Sequence, residues 1–62
     1  MTIETLYAIC DNIDLVTKVF VIDTDHYPLV WNKMFSEVPG SVLQLEVEHY
    51  KIIGNEVLIW AP

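Results

Sequence analysis

Sixty-two residues allow one domain with a thin stability margin, because so short a chain buries only roughly 60% of the surface its unfolded form exposes. Nine acids against three lysines and no arginine give a net charge of −6. That balance argues against direct nucleic-acid binding, since arginine is the preferred bidentate binder of phosphate and guanine.

One cysteine forbids an internal disulfide, and two histidines far from it do not spell a zinc site. Of the usual staples of small domains, a partner subunit remains. A hydrophobic content of 53% is high for a chain with so much surface, and it predicts a homo-oligomer. The start M-T-I-E-T lacks the positive region of a signal peptide. No uncharged run approaches the roughly 20 residues of a membrane-spanning helix. The expected location is cytoplasmic, with no membrane partner.

Residues 2–10 read as a short amphipathic helix. Thr2 is the N-cap, and Glu4 sits in the first turn where the helix dipole favours an anion. Ile3, Leu6, Cys10 and Ile13 recur at helical spacing, flanked by Tyr7 and Ile9. Asp11-Asn12 supplies an end. So short a helix cannot stand alone in water, so it must lie on a sheet. Cys10 falls on the apolar stripe and reads as a buried hydrophobe, because a reactive thiol needs an electropositive setting that this chain does not offer.

Residues 16–23, V-T-K-V-F-V-I-D, form the clearest strand. Phe20 and Ile22 share one side with Val16 and Lys18, while Thr17, Val19 and Val21 share the other. Both sides are apolar, so the strand belongs at the centre of the sheet. Asp23-Thr24-Asp25-His26 is turn chemistry, with Asp side chains bonding back to backbone N–H groups. It is also the densest set of metal-type ligands, yet it lacks the glycine and terminal glutamate of a calcium loop. No metal or other cofactor is expected.

Residues 27–35 read as a second strand, antiparallel to the first, with Pro28 marking its start or an edge. Alternation puts Leu29, Trp31, Lys33 and Phe35 on one side and Val30, Asn32 and Met34 on the other. Residues 36–45 form an irregular connection. Pro39-Gly40 punctuates it, and Ser41 is the expected cap of one turn through Gln44.

Residues 47–60 then read as strand, Gly54-Asn55 turn, strand. The expected pairs are Ile53 with Glu56, Ile52 with Val57, Lys51 with Leu58, Tyr50 with Ile59, and His49 with Trp60. One face, Tyr50, Ile52, Val57 and Ile59, belongs to the core. The other carries Val47, His49, Lys51, Ile53, Glu56, Leu58 and Trp60. The expected fold is α+β: a short N-terminal helix packed on a four-stranded, mostly antiparallel sheet in the order α-β-β-β-β. One sheet face is then left open.

The residues Val30-Trp31, Phe35-Ser36-Glu37-Val38-Pro39 and the Val/Ile-rich hairpin from Val47 to Ile59 carry a resemblance. The chain resembles a type of small protein from phages and mobile elements of Gram-positive bacteria. These start with a short helix, carry a V-W and F-S-E-V-P-type segment, and close on a hairpin. The resemblance implies an accessory gene product, with inhibition of a host defence protein in the host cytoplasm among the roles it allows. It assigns no residue a role.

The chain has no paired nucleophile and base, no Gly-rich phosphate loop and no metal spacing. His49 is the best general-base candidate, on the mixed face of a hairpin, and no enzymatic activity is expected. Three functional readings remain. The first is a protein–protein interaction module acting through Trp31, Trp60, Leu58 and His49, with the acids Asp23, Asp25, Glu46 and Glu48. The second is an oligomer that sequesters a small-molecule or nucleotide signal between aromatic rings. The third is a structural subunit of a larger assembly.

Overall fold

The computed structural model describes residues 1–9 and 17–62. Helix α1 (Ile3–Ile9) is followed by strands β1 (Lys18–Ile22) and β2 (Pro28–Met34). A 3-10 helix (Phe35–Glu37) and a single helical turn α2 (Gly40–Leu43) lead to β3 (His49–Ile53) and β4 (Glu56–Trp60). The four strands form one sheet in the order β2-β1-β4-β3. The expected α+β class is the one found, with one feature added. The hairpins β1–β2 and β3–β4 are antiparallel, and they meet through a parallel pair, β1 with β4.

The expected cap starts α1. Thr5 N–H donates to Thr2 Oγ1 at 3.2 Å, and Leu6 N–H donates to the Thr2 carbonyl at 2.9 Å. A helix of seven residues needs tertiary support, which Ile3 and Leu6 supply by complete burial. Tyr7 stacks against Phe35 with ring centroids 4.4 Å apart. Gln44 Nε2 donates to Glu4 Oε2 at 2.9 Å and ties the helix to the α2 turn. Ile9, at the margin of the stripe, is exposed. The expectations for Cys10, Asp11-Asn12, Ile13 and Val16 lie outside the described residues.

Strand β1 is central, as its two apolar sides predict. Thr17, Val19 and Val21 are buried on the side that packs with the helix, together with Val57, Ile59 and Ala61. Phe20 and Ile22, on the opposite side, are only half-buried.

Strand β2 departs from simple alternation. Val19 pairs with Lys33 and Val21 with Val30, so two residues, Trp31 and Asn32, stand opposite Phe20. Asn32 takes a φ of 56°, a left-handed conformation that Asn tolerates better than most residues. A bulge of this kind reverses the sides downstream. Trp31 therefore lies against Phe20 on the open side, while Phe35 is buried in the core. The expectation that Trp31 and Phe35 share a side is corrected by that one extra residue.

The connection also differs in detail. Phe35 leaves the strand and opens the 3-10 turn, where Met34 N–H donates to Glu37 Oε1 at 3.0 Å. Pro39, not Ser41, is the residue before α2, and its carbonyl accepts from Val42 and Leu43.

The β3–β4 register is the expected one, pair for pair. Gly54 has a φ of 58° and Asn55 has no positive φ, which identifies a type II′ turn with glycine at its first central position. One face assignment changes: Val47 packs on the core cluster instead of the open face. Tyr50 keeps the expected face, opposite Ile59, but stands at the free edge of the sheet and is exposed there.

Candidate functional site

Helix α1 covers one face of the sheet and leaves the other open. Cross-strand partners share a face, so the register lays the open face out in rows. One row runs Trp31, Phe20, Leu58, Lys51 across β2, β1, β4 and β3. The next runs Ile22, Trp60, His49. A third holds Lys18, Glu56 and Ile53.

Two aromatic contacts order the open face. Trp31 meets Phe20 edge-on, with centroids 4.9 Å apart and planes at 83°. His49 lies 5.1 Å from Trp60 at 39°. Trp31 remains 62% exposed, which is high for a tryptophan in a strand and marks surface available to something else. Trp31, Leu58, Trp60 and His49, expected from the sequence to form one partner-binding patch, do share this face.

The acids separate into two groups. Asp23, Asp25 and Glu48 lie at the end of the sheet where β1 and β4 finish. Asp23 is committed to the loop, where its Oδ1 accepts from Asp25 N–H at 2.9 Å and Tyr27 N–H at 2.8 Å. Further bonds close the same loop, His26 N–H to the Asp23 carbonyl and Asp23 N–H to the Tyr27 carbonyl. Glu46 is elsewhere. Its Oε2 pairs with the Met1 ammonium at 2.9 Å, beside the isolated bridge of Thr2 to Glu46. The lysines of the open face, Lys18 and Lys51, are away from the Asp23–Asp25 loop. The face therefore has an acidic end, whereas at the other end Lys18 stands beside Glu56 and Lys51 lies in the middle row.

A pocket of about 270 Å³ opens at the acidic end, lined by Thr24, His26, Glu48, His49 and Trp60. Three chain segments converge there because β1 and β4 run parallel and end side by side at Ile22 and Trp60. Glu48 N–H donates to the Trp60 carbonyl at 2.8 Å, which holds the entry to β3 against the end of β4. His26 takes a left-handed φ of 62°.

Both histidines of the chain thus reach one pocket from positions 23 residues apart, a convergence that sequence reasoning missed. Their only advance signal was the ligand-rich D-T-D-H segment. Among the described residues no group of three or more His, Cys, Asp or Glu side chains is arranged to hold a metal ion. Phe20, the floor beneath Trp31, was likewise read only as part of a two-sided strand. Among the described residues no helix is long and apolar enough to cross a membrane. Comparison with family models, with curated proteins and with solved structures finds no match for this chain.

Proposed function

We propose that this protein is a small acidic protein–protein interaction module that docks through the open face of its sheet onto a larger partner with a basic surface. The observation that carries the reading is the contiguous aromatic and aliphatic patch Trp31, Phe20, Leu58, Ile22 and Trp60, left uncovered by the single helix layer. Aromatic anchors within a polar rim are the usual anatomy of a protein interface. The net charge of −6 and the acids Asp23, Asp25 and Glu48 beside the patch fit a basic counterpart. Inhibition of a host defence protein is one form such docking takes.

A second reading has the face closing on another copy around a planar anion such as a nucleotide. The presence of Lys18 and Lys51 on the aromatic face favours it. The acidic end of the same face opposes it.

Native mass spectrometry of the tagged protein purified from its cells tests both. The expected result is a complex with one larger basic protein, lost on Trp31→Ala and weakened as salt is raised, because exposed charge pairs are screened. A homo-oligomer carrying a few hundred daltons of ligand supports the second reading instead. A bare monomer whose state ignores Trp31→Ala removes both.

A further inference from the structure

The pocket at the acidic end of the sheet has a chemistry of its own, and the choice of its occupant rests on the docking reading. We infer that this pocket receives an arginine side chain of the partner, stacked on the Trp60 indole and paired with the Glu48 carboxylate.

Size limits the occupant first. At about 270 Å³ the pocket falls below the roughly 300–1,000 Å³ of sites for drug-sized ligands, so a single side chain is the right scale. Charge limits it next. Glu48 is the one formally charged group of fixed sign among the lining residues, and none of the three lysines lines the pocket. An anion such as a phosphate meets a carboxylate there and no counter-charge. A cation meets the carboxylate, the Trp60 indole with the His49 ring 5.1 Å away, and the oxygen and nitrogen acceptors of Thr24, His26 and His49; an indole attracts cations over its face.

Shape then chooses between the cations. A guanidinium is flat, weakly hydrated and carries a fork of donors that matches a carboxylate, while it lies along an indole. An ammonium is compact and strongly hydrated, and it uses neither the fork nor the flat wall. The loop adds an independent observation. His26 holds a left-handed backbone at φ 62°, a conformation costly for a residue with a side chain, and it holds it at the rim of this pocket. Strain of that kind concentrates at binding sites, where the side chain's position compensates for it.

The test is an NMR titration of the full chain, watching the Trp60 indole N–H and the His49 amide. The probes are capped arginine (acetyl-arginine methylamide), capped lysine and adenosine monophosphate. Capped arginine is expected to shift both signals saturably. Capped lysine should bind at least severalfold more weakly, and the nucleotide should leave both signals still. Glu48→Gln, an exposed substitution, should lower arginine affinity about tenfold with the rest of the spectrum unchanged.

Unmoved Trp60 signals with capped arginine, equal or tighter binding of lysine, indifference to Glu48→Gln, or preferential binding of the nucleotide each overturn the assignment. If arginine fails while the Trp31-dependent complex survives, the pocket assignment is wrong and the docking face stands. If arginine binds and no such complex exists, the docking face is wrong.

Discussion

Among the described residues two sit at positive φ in loops, and they respond to it in opposite ways. Gly54 occupies the first central position of a type II′ turn at φ 58°, where no side chain is needed and no neighbour lies within 4 Å of a would-be Cβ. Space is therefore not the constraint; the backbone is. Gly54→Ala is expected to destabilise the fold by about 1–2 kcal/mol, because the left-handed region costs an L-residue that much. His26, at φ 62°, already carries this cost. His26→Gly is expected to raise stability by up to about 1 kcal/mol, the relief of strain being partly offset by a more flexible unfolded chain. Urea denaturation of both variants checks the pair, and a shift of the same sign in both would refute the shared cause. The D-T-D-H segment was legible as a turn. Its left-handed histidine was not, since that residue type does not announce the conformation as glycine does.

At the scale of elements, the two edges of the sheet are unequally protected. Strand β2 begins with Pro28 and carries two register shifts, both of which spoil it as a template. Strand β3 has neither; it pairs with β4 in unbroken register and leaves its outer edge free. Its protection is Lys51 at the centre of His49–Ile53, since a second copy pairing antiparallel there brings lysine against lysine. Lys51→Val is expected to convert this edge into a self-associating one, seen as concentration-dependent growth in apparent mass by light scattering. A variant that stays at the mass of the native protein over the same range argues that twist, not charge, guards the edge. The β3–β4 register was legible in the sequence because local turn chemistry and period-2 alternation both fix it. The β2 faces were not, because one additional residue at Asn32 reverses everything after it.

For the whole molecule, the consequence of small size is a single core on one side of the sheet. Among the described residues ten buried apolar side chains, from Ile3 on the helix to Ala61 after the last strand, form it. At the usual stability per residue, a chain this long has about 3–9 kcal/mol in total. Leu6 is fully buried between helix and sheet, so Leu6→Ala is expected to cost about 2–5 kcal/mol, a large share of that sum. Trp31→Ala removes a larger side chain, but an exposed one, and should cost far less stability while abolishing partner capture. Thermal unfolding of the two variants, set beside their binding, separates the face that holds the fold from the face that meets the partner. Equal losses of stability would mean that the open face is part of the core.

Much of this architecture follows from local rules that act within a few residues. The Thr2 cap, the central strand with apolar residues on both sides, the polar loop at Asp23 and the Gly54-Asn55 hairpin were all determined by the sequence, since each rests on near neighbours. The order of the strands was not. Whether β3 or β4 lies beside β1 depends on how the connection between the hairpins crosses the sheet, and on which pairing buries Val57 and Ile59 under the helix. That choice is global, and it decides the pocket as well. Only because β1 and β4 end together, in parallel, do Thr24 and His26 come to stand beside Glu48, His49 and Trp60.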